Sequence, residues 1–240
     1  MQPPPPSTTR PMPPAPITGI VDVHHDDGAV DMAAAARGGV VALVHKLTEG
    51  RDWIDPKAVE RLSRARAAGL LVGVYHYGNA TDPEQQADHF IAHASAHPDA
   101  LWALDCENNG RSRFGTMRPE QAAAFVSHVH RCMGRWPVFY SFTSFLRGWG
   151  TLDTATRAVL SKCALWQAQY GEKPTKPAND AWSTIALWQY TNGADGPNNR
   201  GTYPRITPGF ARAAQDRSAF DGTLDELRAW WTTCGRERPA

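Results

Sequence analysis

The chain has 240 residues, 42% of them hydrophobic, with nine Trp and a formal net charge of +1. That length fits one barrel or α/β domain better than two, and the apolar content excludes disorder over most of it. A near-neutral balance gives nucleic acid or an anionic membrane no electrostatic hold as the main partner, and no run reaches the ~18 apolar residues of a membrane span.

Residues 1–16 contain eight of the nineteen prolines and read as an extended or disordered tail of polyproline II character. The start lacks the basic residues and apolar core of a signal peptide. From residue 17 short β-rich runs alternate with helical patterns. A strand over 19–25 precedes an Ala-rich helix over 31–37 and a second strand over 40–47. Asp55-Pro56 opens a helix to Ala68, closed by Gly69. A third strand covers 71–77, and Asp82-Pro83-Glu84 starts a helix to His97 by the same device. A strand over 100–107, a helix over 119–132 and a strand over 137–142 follow. Beyond 142 the pattern changes: strands over 164–170, 184–190 and 211–220 are separated by Gly/Pro/Asn-rich loops, and a helix over 224–232 ends the series.

Strand–helix alternation predicts a parallel sheet with right-handed crossovers. Eight strands then give a TIM-like barrel over 17–235, modified as (β/α)5(β)3 with few helices in its last third. A Rossmann-like sheet is the alternative, but no Gly-x-Gly-x-x-Gly follows the first strand. The four cysteines form no CxxC and are expected to be reduced and structural, with a Cys132–Cys163 or Cys163–Cys234 bridge as the alternative.

The fourth strand ends in Asp105-Cys106-Glu107. Side chains alternate along a strand, so Leu101, Ala103, Asp105 and Glu107 share one face, with neighbours on that face roughly 6–7 Å apart. Two acids that close raise each other's pKa, as an acid catalyst requires. In such barrels catalytic groups sit where strands end. Asp22 near the end of the first strand and Asp216 within the eighth would meet Asp105 and Glu107 at one mouth. Asp26, Asp27, Asp31 and Asp55 read better as caps or loop residues.

Seven motifs in order resemble those of the glycoside hydrolase family 25 muramidases. They are Gly19-Ile-Val-Asp22-Val-His24, Lys46-Leu-Thr-Glu49-Gly50, Gly73-Val-Tyr75-His76-Tyr77, Asp105-Cys106-Glu107, Trp166-Gln-Ala-Gln-Tyr170, Trp188-Gln189-Tyr190-Thr191 and Gln215-Asp216-Arg217-Ser218. His24, Cys106 and Ser218 depart from the family pattern near the expected mouth. The resemblance implies a retaining hydrolase of the bond between N-acetylmuramic acid and N-acetylglucosamine. Glu107 would be the general acid and then the base; Asp105 would stabilise the substrate's own acetamido group as it attacks. A direct nucleophilic role for Asp105 or Asp216 is the competing mechanism. Asp22 and Asp216 would hold water, fix pKa values or bind hydroxyls. Tyr75, Tyr77, Tyr140, Trp166, Trp188 and Gln189 are candidates to shape sugar subsites, with core packing as the other reading of each aromatic.

No cofactor or metal is expected. The expected partner is peptidoglycan, met outside the cytoplasm by a monomer delivered through a pore or secretion system, with a delivery machine or an immunity protein as further candidates. Three rivals stand beside this. A metal-dependent hydrolase would use His24 and His25, but strand alternation puts them on opposite faces. A chitinase of another family would need an acid where Ala103 stands. A non-catalytic glycan-binding barrel would have no use for acids at every expected site.

Overall fold

The computed structural model describes residues 15–108, 110, 113–174, 176–197, 202–212 and 214–236. The expected tail therefore lies outside the described residues as far as residue 14. In chain order the elements are β1 (Ile17–Val23), α1 (Met32–Arg37), β2 (Ala42–Glu49), β3 (Trp53–Ile54), α2 (Ala58–Ala67), β4 (Leu71–Tyr77), α3 (Pro83–Ala94) and β5 (Leu101–Asp105). Then come α4 (Pro119–Met133), β6 (Val138–Phe142), α5 (Thr143–Gly148), α6 (Thr154–Leu160), β7 (Leu165–Ala168), β8 (Leu187–Thr191), β9 (Asp216–Phe220) and α7 (Leu224–Thr233).

The strands run β1-β9-β8-β7-β6-β5-β4-β2, and a β1–β2 pairing closes them into an eight-stranded barrel. β3 adds a short antiparallel hairpin on β2. Helices fill the crossovers from β1 to β7, and none of the described residues between β7 and β9 is helical. The expected (β/α)5(β)3 pattern is thus the observed one. Seven strands are parallel; β9 runs antiparallel to both β8 and β1. The reversal is made in the loop after β8, where Gly193 has φ +82°. A Cβ on Gly193 would lie 2.3 Å from the Ala214 Cα, so only glycine lets the two chain segments pass.

Alternation sorts the core into two layers. Leu101 and Ala103 of β5 point into the barrel with Ile20, Val44, Val138, Trp166 and Leu187. Trp102, Leu104 and Cys106 point outward against Phe90, Phe125 and Val126 of the surrounding helices. α7 packs with the inner layer through Leu227 and Trp231, and Trp231 Nε1 donates to the Val72 carbonyl at 2.7 Å near the start of β4. That helix plugs the end of the barrel opposite to the strand C-termini.

Several boundaries differ from expectation for local reasons. α2 starts at Ala58 rather than Asp55, because the Asp55 carboxylate accepts from the backbone of His25 and Lys57 and holds a turn there. β9 begins only at Asp216, leaving 211–215 outside the strand. α5 and α6, of 6 and 7 residues, are too short to show a helical period in the sequence, although Asp153 caps α6 through the Ala155 and Thr156 amides. All four cysteines are free: Cys106, Cys163 and Cys234 are buried and Cys132 is exposed.

Candidate active site

Where the strands end, a cleft of about 500 Å³ opens between Asp22, Lys46, Tyr75, Tyr77, Asp105, Glu107, Tyr140, Trp166 and Asp216. The sheet register explains the grouping. Tyr77, Asp105, Tyr140 and Trp166 are successive cross-strand partners from β4 to β7, so they form one tier of the wall. Asp22 and Asp216 are partners across β1 and β9. Because β9 is antiparallel, its first residue, not its last, stands at the mouth.

Each acid carries a distinct set of forces. Asp105 is 8% exposed, and burial, followed by the Glu107 charge, pushes its carboxyl well above the usual range, while Lys46 acts the other way. Its Oδ1 is buried with no hydrogen-bond partner among the described residues. Glu107 is raised too, first by burial, against a hydrogen bond from Tyr77 and the Lys46 charge. Asp22 accepts from Gln189 Nε2 on both oxygens at 3.0 Å, and Gln189 Oε1 accepts from the Tyr140 hydroxyl at 2.9 Å. Burial and then the Asp216 charge raise Asp22 despite that bond. Asp216 is pushed up to about 7, by burial first and then by the Asp27 and Glu107 charges. Burial acts on all four carboxyls in the same sense, so the cleft favours their protonated forms.

Lys46 is the counter-charge. Its ammonium pairs with Glu49 and lies 4.9 Å from the Trp53 ring centre and 4.5 Å from that of Tyr77. In the sequence Lys46 and Glu49 stand out only as parts of a motif; the register places Lys46 beside Tyr75 and Glu49, the last residue of β2, beside Tyr77. Asn108 also lines the cleft and was not singled out.

Among the expected sugar contacts, Tyr75, Tyr77, Tyr140 and Trp166 reach the cleft. Trp166 is 2% exposed, its Nε1 donating to Ser218 Oγ at 2.8 Å, so Ser218 anchors the cleft floor. Trp188 does not line the cleft. Alternation along β8 turns it outward, where it packs on Tyr190 and Tyr203 and donates to the Gln169 carbonyl at 2.7 Å. Gln189 faces inward but acts on Asp22 rather than lining the cleft. Cys106 is likewise turned away, into the helix layer. Only His24 of the three departures stands on the cleft itself.

Two groups of described residues place three ligand atoms within 4.8 Å: His24, His25 and Asp26, and Asp88, His128 and Cys132. Neither contains Asp105 or Glu107. β1 ends at Val23, so His24 and His25 lie in a turn, and the alternation that was expected to separate them does not apply; their rings meet edge to face at 5.4 Å.

A closed barrel with paired carboxyls, both raised by burial, in an open groove walled by aromatics is the architecture of a glycosidase. The profile of Glycosyl hydrolases family 25 matches residues 21–198. Lysozyme M1 of Streptomyces globisporus is 26% identical over 231 residues, covering 90% of this chain and 72% of its own. The autolytic lysozyme of Clostridium acetobutylicum is 34% identical over 162 residues, or 67% of this chain and 47% of its own. In fold, the chain is similar to the bacterial lysozyme from Streptomyces coelicolor, with TM-score 0.72 at 23% identity over 90% of this chain and 97% of that one. The family GH25 lysozyme from Aspergillus fumigatus gives TM-score 0.70 at 24% identity over 90% and 99%. The chain belongs to glycosyl hydrolase family 25 and is an enzyme of its lysozyme, or muramidase, type.

Proposed function

We propose that this enzyme cleaves the β-1,4 bond between N-acetylmuramic acid and N-acetylglucosamine in peptidoglycan, with retention, through participation of the substrate's acetamido group. Glu107 protonates the departing oxygen and then, as a base, activates water. Asp105, which lines the cleft, receives the acetamido N–H on its carboxylate and stabilises the positive charge that develops as the amide oxygen attacks the anomeric carbon. Lys46 favours the ionised form of the pair, so a single proton shared by the two carboxyls is placed on Glu107 once Asp105 engages the amide. Asp22, held by Gln189, and Asp216 form the opposite wall and bind hydroxyls or water. Tyr75, Tyr77, Tyr140 and Trp166 shape the sugar subsites.

The single observation that carries this reading is that Asp105 and Glu107, both raised by burial, line one groove. Mass spectrometry of digested peptidoglycan tests the bond assignment: new reducing ends are expected to be muramic acid, and glucosamine ends would refute it. The same proposal holds that the enzyme works as a monomer on the cell wall, outside the cytoplasm, as a lysin or an antibacterial effector. Sedimentation at micromolar concentration checks the first part; a dimer would contradict it.

A further inference from the structure

The turn after β1 carries side chains that the cleavage reaction leaves unused. His24, His25 and Asp26 each offer one ligand atom, all within 4.8 Å of one another. His25 Nε2 already stands 3.5 Å from Asp26 Oδ2. Two ligands of a tetrahedral zinc with ~2.0–2.1 Å bonds stand about 3.3 Å apart, so this pair needs little movement.

A second observation lies beneath the turn. Asp55 is 1% exposed, and its Oδ2 accepts the His25 backbone N–H at 2.9 Å and lies 3.1 Å from His25 Nδ1. A buried carboxylate there keeps a proton on Nδ1 and leaves the lone pair on Nε2, the atom that faces Asp26. Metal-binding histidines are oriented in this manner, with a carboxylate behind the ring and the ion in front. Trp53 packs on the same ring at 5.1 Å and limits its rotation. The side chains of His24, His25 and Asp26 are 42%, 33% and 70% exposed, so an ion reaches them without any opening of the fold. Two cations touch the turn through its main chain and not through the three ligand side chains: Lys57 Nζ donates to the His25 carbonyl at 2.6 Å and Arg61 to the His24 carbonyl at 2.7 Å.

We infer that His24, His25 and Asp26 form a binding site for a divalent transition-metal ion of the zinc class, separate from the acid pair. Two imidazoles and one carboxylate suit such an ion and leave the fourth position to water. The other three-ligand group differs in a decisive respect. His128 has both nitrogens engaged, Nε2 with Asp88 at 2.6 Å and Nδ1 with the Arg131 guanidinium at 2.7 Å, so a fixed cation already holds that ring.

Calorimetric titration of the metal-free full chain with zinc chloride reads this site without reference to cleavage. The expected result is one zinc per chain, lost in His25→Ala and in His24→Ala, and unchanged in Cys132→Ser. Asp55→Asn, which leaves all three ligands in place, is expected to weaken binding about 10–100-fold. Should that variant fail to fold, the two histidine variants decide alone. In nitrogen-15 spectra of the wild type, zinc should shift His25 Nε2 while Nδ1 keeps its proton. No heat of binding at millimolar zinc overturns the inference, as does stoichiometric binding that survives the double histidine variant or vanishes in Cys132→Ser.

Discussion

Asp216→Asn should make the protein more stable and the enzyme worse, by an amount that depends on pH. The carboxyl of Asp216 titrates at about 7 in the fold because its ionised form is buried near the Asp27 and Glu107 charges. In the unfolded chain it titrates near 3.9. The folded state therefore binds more protons between those values, and stability falls as pH rises through the window, the reverse of an ordinary salt-bridged aspartate. At 1.36 kcal/mol per pH unit, holding this group costs the fold ~4 kcal/mol at pH 8 and ~1.5 kcal/mol at pH 5. The amide has the same shape and no charge to bury, so the variant should gain up to those amounts. Urea unfolding of both proteins at pH 5, 7 and 8, followed by tryptophan fluorescence, measures the difference. A gain that widens by ~2–3 kcal/mol from pH 5 to pH 8 fits the linkage. A pH-independent gain, or none at pH 8, would show that Asp216 is not held against its charge.

Two further outcomes follow from the same geometry. Lys46→Met removes the cation that favours ionisation of Asp105 and Glu107; the alkaline limb of the pH–rate profile should move to higher pH, and an unmoved limb would separate Lys46 from the acid pair. Trp231→Ala empties the plug of the barrel and strips the Val72 carbonyl of its donor, which should cost ~3–5 kcal/mol in urea unfolding with m unchanged; a loss under ~1 kcal/mol would mean that α7 merely lies against the barrel.

The barrel was legible because its strands carry strong local signals. Asp-Pro helix starts marked α2 and α3, and the apolar run ending in Asp105 marked β5 and the inward face of its acids. The mouth residues Asp22, Asp105 and Glu107 followed from the rule that functional groups sit at strand ends, whereas Asp216 reaches the mouth as the first residue of a reversed strand. Other features are not local. The direction of β9 is set by pairing with β1 and β8, so no pattern within 211–220 could show that the strand starts at Asp216. Trp188 and Gln189 exchange roles with the phase of one short strand, and a one-residue shift in β8 reverses which of them faces inward. Lys46 was hidden because its meaning lies in what surrounds it: Glu49, Trp53 and Tyr77 come from three strands, one of them a hairpin strand of two residues, too short to predict. His24 and His25 were misjudged for a related reason, since the alternation argument holds only while β1 lasts, and β1 ends one residue earlier.

In the proposed reaction a protonated Glu107 delivers its proton into the groove beside Asp105. The most direct measurement is the cleavage rate of Glu107→Gln on purified peptidoglycan across pH, alongside its binding to the intact glycan. The account predicts a rate lower by about 10²–10⁴ with glycan binding retained, and loss of the alkaline limb that the wild type owes to this carboxyl. A variant that cleaves at the wild-type rate with the same pH profile would contradict it.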